Sequence, residues 1–201
     1  MVRLRYQCPL LLNIGVLILL LTGALRAQPV IVLDPGHGGV DGGACWGGGR
    51  EKNLTLMIAQ RVEAVLRARG FRTAMTRRCD RTVSLGSRAA LANSYRSAVL
   101  VSIHCNADPQ HQARGIETFY TGTAGYRLAR NIHTRLDSRT STPNRGVKRR
   151  GLAVLASSRC AAALVECGFM TSPSERGLLA TAAYQKRIAA AIADGVTASV
   201  R

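Results

Sequence analysis

The sequence predicts an α/β fold: a three-layer sandwich in which a mostly parallel central sheet carries helices on both faces. Three observations predict it. Runs with strand character alternate with runs of helical period along the chain. One run, residues 98–103, is apolar but for Ser102 and so belongs to a strand covered on both sides. Hydrophobic residues make up 47% of the chain but aromatics only 4%, so the apolar mass is Ala, Leu and Val, which suits helices packed closely on a sheet.

In chain order, residues 30–33 form a short buried strand that ends in the turn Asp34-Pro35-Gly36. From Glu51, the residues Leu54, Ile58, Val62 and Val65 recur at helical spacing until Gly70 stops the run. Residues 71–76 alternate as a strand, 85–96 form a second helix, 98–103 the central strand and 115–120 another strand. Leu128, Ile132 and Leu136 mark a third helix. Two further strands are expected at 152–155 and 163–165, and a long Ala-rich helix at 178–196 closes the chain.

The first 27 residues read as an export signal. Arg3 and Arg5 give a basic start, residues 10–21 are almost wholly apolar, and Gly23, Ala24 and Ala27 are small residues ahead of a cleavage point after Ala27. That apolar run is shorter than the roughly 20 residues a bilayer span requires, so a secreted domain of residues 28–201 is expected, in the periplasm or the cell wall, with no integral span after cleavage. Loss of the three leader arginines lowers the formal net charge from +17 to +14. So basic a surface suits residence on an anionic wall. Export and the absence of interleaved aromatics argue against nucleic acid. Of six cysteines, five follow the leader (Cys45, Cys79, Cys105, Cys160, Cys167), an odd number with no CxxC spacing.

Active sites of parallel α/β sheets lie beyond the carboxyl ends of the strands. His37 follows the first strand, His104 follows the central strand directly, Glu166 follows residues 163–165, and Glu51 opens the first helix at the same rim. Four candidate ligands or catalysts therefore converge. Two imidazoles and a carboxylate make a catalytic zinc set that leaves one position open. A cysteine nucleophile is the rival, because Cys105 and Cys167 adjoin His104 and Glu166. Neighbours on a strand face opposite ways, however, so both thiols are expected to be buried packing groups. A Gly-x-Ser-x-Gly elbow is absent.

Seven ordered segments carry a family likeness. They are Leu33-Asp34-Pro35-Gly36-His37-Gly38-Gly39, Glu51-Lys52-Asn53-Leu54, Thr76-Arg77 with Asp80, Leu85 and Arg88, Ser102-Ile103-His104-Cys105-Asn106-Ala107, Gly115-Ile116-Glu117-Thr118, Asn144-Arg145-Gly146-Val147 and Leu164-Val165-Glu166-Cys167-Gly168-Phe169. In order and spacing these resemble the zinc-dependent N-acetylmuramoyl-L-alanine amidases of the cell-wall hydrolase type, from about residue 30 to the end of the chain. Ala161 and Ser172 depart from the Pro and Asn often found there, away from the proposed ligands. The resemblance implies one Zn2+ per chain held by His37, Glu51 and His104, with Glu166 as catalytic carboxylate. It also implies a peptidoglycan substrate, cut at the amide between N-acetylmuramic acid and L-alanine by zinc-activated water.

The alternatives are a zinc peptidase cutting within the stem peptide and a wall-binding module, which would have lost ligands. Asn106 and Arg145 are candidate substrate-binding residues, the latter within the basic run Arg145, Lys148, Arg149, Arg150. His111 and His133 are expected to be structural or solvated, and Trp46, in the Gly-rich stretch 42–49, is a candidate for the cleft wall. Relatives held inactive until a partner binds carry a long insertion after the third helix, with a helix over the zinc. Here only about a dozen polar residues are available, a normal connection length, so an activator protein is not expected to be required.

Overall fold

The computed structural model describes residues 28–200, so the expected leader lies outside the described residues. Six strands form one sheet in the order β4 (Thr73–Met75), β1 (Val30–Pro35), β5 (Ala98–Asn106), β8 (Ala161–Phe169), β6 (Ile116–Tyr120), β7 (Asn144–Arg149). Four of its five pairings are parallel, and only β6 against β8 is antiparallel. The mostly parallel sheet is thus observed, with β6 and β7 running against the other four strands.

Strict alternation along the strands sorts the core into two layers. Ile31, Leu33, Val99, Val101, Ile103, Ala163 and Val165 point to a thick layer built by α1 (Glu51–Ala68), α3 (Gly122–Asp137), α5 (Pro173–Ala180) and α6 (Ala182–Val200). Val30, Val32, Leu100, Ala162 and Leu164 point to a thin layer under α2 (Leu85–Asn93) and the single turn α4 (Ala153–Ala156). Cys105 and Cys167 fall in the thick layer, buried and free, as their strand positions imply. His104 and Glu166, one residue earlier on each strand, face the opposite side, towards the thin layer.

Two expectations are corrected, and two further elements are added. Residues 152–155 are not a strand: Leu152 caps α4, whose Val154 and Leu155 cover the sheet. The remaining strand is instead β7, whose sequence NRGVKR has no apolar alternation because it pairs with β6 alone and is half or fully exposed along its length. The closing helix is two helices. Thr181 adopts an extended conformation after α5, and its hydroxyl accepts the amide of Tyr184 to cap α6. The Gly-rich stretch also holds a hairpin, β2 (Cys45–Trp46) with β3 (Gly49–Arg50), too short to leave a hydrophobic pattern.

Helices α3 and α6 cross at Gly195, where an added Cβ would lie 2.4 Å from the Ile132 Cα. Backbone cannot yield as a side chain can. Gly195→Ala is therefore expected to destabilise the fold by about 1–3 kcal/mol, read as a lower urea midpoint with an unchanged slope. An unshifted midpoint would show that the helices part freely.

Candidate metal centre

The site begins with the turn after β1, where the chain leaves the sheet and its carbonyls lose their strand partners. Two buried arginines supply replacements. Arg88 donates to the carbonyls of Pro35 and His37, each at 2.8 Å, and Arg77 to those of Pro35 (3.1 Å), Gly36 (2.8 Å) and Lys52 (2.7 Å). Asp34 anchors Arg88. Its fully buried carboxylate accepts from Arg88 Nη1, Thr76 Oγ1 and Ser102 Oγ, each at 2.7 Å. So held, His37 keeps a left-handed backbone at φ 60°, a conformation that a non-glycine residue adopts only under external constraint. Gly36 allows the turn to press against β5, since a Cβ there would lie 2.3 Å from the His104 ring.

Glu51 reaches the same point from the first turn of α1. The two leading amides of that helix are satisfied by the preceding loop, Glu51 N to Ala44 O and Lys52 N to Gly42 O. The carboxylate is buried, with Oε1 3.0 Å from both His37 Nε2 and His104 Nδ1. It also accepts the amides of Cys105 (3.0 Å) and Ala44 (2.9 Å). One ligand atom from each of His37, Glu51 and His104 lies within 4.8 Å of the others, a group that could hold a metal ion.

Burial alone would raise the Glu51 pKa, but hydrogen bonds from the two imidazoles hold it well below the usual carboxylate range. For His37 and His104, burial works downwards and is outweighed, chiefly by Glu51, so both stand above the ordinary imidazole value. Asp41, unmarked in the sequence, lies 2.8 Å from His37 Nδ1 and so turns Nε2 towards Glu51. A carboxylate behind a histidine is the usual means of orienting a metal-binding imidazole.

Glu166 lies opposite His104 in the β5–β8 register, and Glu117 lies opposite Glu166 in the β8–β6 register. His104, Glu166 and Glu117 therefore form a row across three strands. Burial raises the Glu166 pKa to about 7. The imidazole of His104 pulls it down, while the carboxylates of Glu51 and Glu117 push it up. Its Oε2 is shielded and has no hydrogen-bond partner among the described residues.

Asn106 and Arg145 both attach to Glu117, at 2.6 and 3.3 Å, and Arg145 also lies over the Phe169 ring. Lys148 joins them at 2.5 Å, whereas Arg150 leaves the group to stack on Phe119. His133 is structural, bonded to Thr118 and Asn144 inside the fold. His111 instead meets Trp46 edge-on, with ring centroids 4.6 Å apart. Glu117, the hub of the cationic end, lies in one of the seven segments above, but as a lone acid in a strand pattern it carries no mark of that role.

Residues 31–198 match the family described as N-acetylmuramoyl-L-alanine amidase. The chain is 37% identical over 175 residues to the N-acetylmuramoyl-L-alanine amidase LytC of Bacillus subtilis, a match covering 85% of this chain and 35% of that protein, so it spans about a third of LytC. Among solved structures, the catalytic domain of the amidase CwlV from Bacillus (Paenibacillus) polymyxa var. colistinus superposes with a TM-score of 0.82 at 30% identity, covering 87% of this chain and all of that one. The CwlD amidase from Clostridioides difficile, solved in complex with the GerS lipoprotein, gives 0.81 at 29% identity over 86% of this chain and 98% of that one.

Two substitutions probe the centre without touching a donor. Asp41→Ala is expected to weaken metal affinity about 10–100-fold with little loss of stability, measured by competition with a chelator. Arg88→Met should cost about 3–5 kcal/mol, because it strands the buried Asp34 charge. A denaturation midpoint equal to that of the parent protein would contradict the second.

Proposed function

Because the chain belongs to the N-acetylmuramoyl-L-alanine amidase family, we propose that it is a peptidoglycan hydrolase cleaving the amide between N-acetylmuramic acid and the L-alanine of the stem peptide, with zinc in the His37, Glu51, His104 centre. The observation that carries this reading is the convergence of those three donors beside Glu166, a carboxylate with an unpartnered, shielded oxygen. The donor set suits zinc, since two imidazoles and one carboxylate leave room for water and a substrate oxygen, and Asp41 supplies the orienting carboxylate. Bound there, zinc supplies a Lewis acid for the lactyl carbonyl and lowers the pKa of water towards about 7.

The chain's own residues then move the protons. Glu166 is placed to take a proton from the attacking water as the new C–O bond forms. It returns the proton to the alanine nitrogen as the C–N bond breaks. Burial raises the proton affinity of Glu166, which helps it to hold the proton between the two transfers, and such a group contributes typically about 10²- to 10⁴-fold. Arg145 and Lys148, gathered with Asn106 around Glu117, form a cationic cluster at the end of the row and suit carboxylates of the stem peptide.

Export to the periplasm or wall belongs to the same reading. The basic surface then holds the enzyme on its anionic surroundings, and no described helix is long and apolar enough to cross a membrane. We further propose activity without an activator. The connections on either side of β7, residues 138–143 and 150–152, are short and carry no helix.

Four outcomes test the proposal. Chelation should abolish turnover and zinc restore it; full activity after confirmed metal removal would overturn the reading. Glu166→Gln should retain metal and lose at least about 10²-fold in kcat, whereas His37→Ala and His104→Ala should lose both metal and turnover. Mass spectrometry of digested wall should show intact stem peptides; fragments cut within the peptide would favour a peptidase. Purified protein should work alone, binding walls less as salt rises, and negligible turnover rescued by cell extract would overturn independence from an activator.

A further inference from the structure

Trp46 is the only tryptophan of the chain. It stands 41% exposed on the β2–β3 hairpin, which runs directly into Glu51. Its partner His111 belongs to the loop that leaves β5 just beyond His104. The segments that adjoin the proposed donors Glu51 and His104 thus carry one half each of an aromatic pair, set at 67° with centroids 4.6 Å apart.

Both halves are fixed. His111 holds a left-handed backbone at φ 58°, and apart from His37 it is the only described residue other than glycine with a positive φ. Its amide donates to Asp108 O, and its Nδ1 lies 3.2 Å from Thr171 O. The Asp108 carboxylate in turn accepts the amides of Gln110, Gln112 and Ala113. On the hairpin side, Gly47 backs onto the guanidinium of Arg176, which donates to Met170 O at 2.7 Å. The base of the hairpin is tied to the metal centre by the amide of Ala44 on Glu51 Oε2. An exposed tryptophan held this firmly needs no ordering when a ligand arrives, which favours a binding surface.

We propose that Trp46, braced by His111, is the platform on which the apolar face of an N-acetylated sugar ring of the glycan strand rests. The inference rests on the amidase reading above. The bond cut in that reading joins two unlike halves, an uncharged sugar bearing C–H groups and a peptide bearing carboxylates. The cleft offers a matching difference. Arg145 and Lys148 gather at Glu117, at the β6–β7 end of the row, while the β2–β3 hairpin and the loop after β5 present the Trp46 indole, whose electron-rich face suits C–H groups. Peptide at the cationic end leaves the sugar for Trp46. Trp46 is thus a residue of substrate preference, remote from the proton transfers.

A single tryptophan makes its fluorescence a local probe. Zinc-loaded Glu166→Gln protein is titrated with peptide-free glycan strands of alternating N-acetylglucosamine and N-acetylmuramic acid, and separately with free stem peptide. Glycan should shift the emission saturably, stem peptide should not, and His111→Ala should weaken the glycan response several-fold. In the active protein, Trp46→Ala should raise KM for peptidoglycan by up to about tenfold with kcat nearly unchanged, and Trp46→Phe should recover most of the loss. Emission that answers to stem peptide, or to neither ligand, overturns the platform, as does an unchanged KM in Trp46→Ala. If the parent protein releases no stem peptide while glycan still moves the emission, the platform stands and the amidase reading falls. If amide cleavage proceeds with silent emission, only the platform falls.

Discussion

The centre depends on two buried guanidinium groups that complete a broken hydrogen-bond pattern. Where β1 ends, the carbonyls of Pro35 and His37 would be left bare inside the fold and that of Gly36 would keep only the Thr55 hydroxyl, each bare oxygen at a cost comparable to a lost hydrogen bond. Arg77 and Arg88 reach these oxygens from the segments beyond β4, and Asp34 neutralises Arg88. Burial lowers the pKa of Arg77, and the like charge of Arg88 adds to the effect. Such an arrangement contributes little net stability. What it fixes is position: His37 cannot relax from its left-handed conformation without losing the guanidinium hydrogen bond that Arg88 donates to its carbonyl.

The sheet supplies the second coordinate. Register places His104 against Glu166 and Glu166 against Glu117, so three strands deliver three titratable groups to one line. The proton affinity of Glu166 follows from that line. Its burial disfavours charge, two carboxylates reinforce the effect, and two imidazoles oppose it. The strand pairing that sets these distances thereby sets the chemistry.

Much of this was legible in the sequence, and the physical reason is periodicity. Strand ends can be read where an apolar run stops, so His37, His104 and Glu166 could be placed at one rim, and the same alternation sent Cys105 and Cys167 to the other face. Elements without such a contrast were not legible. β7 is polar along its length because it lies at an edge, and Leu152 to Leu155 are apolar because a single helical turn covers the thin layer. Asp41 and Glu117 escaped for a different reason. Each acts by orienting another side chain, and no spacing rule ties a carboxylate to the imidazole or guanidinium it will meet after folding.

The polar character of β7 reaches beyond the site it helps to line. An open sheet ends in unpaired amides and carbonyls that invite another chain to add a strand. Here one border is β4, only three residues long, and the other is β7, which carries Arg145, Lys148 and Arg149. A second molecule approaching β7 would bring the same cations against them. The sheet therefore ends in a cation-bearing edge, and the residues that gather around Glu117 belong to the kind of border that disfavours edge-to-edge pairing.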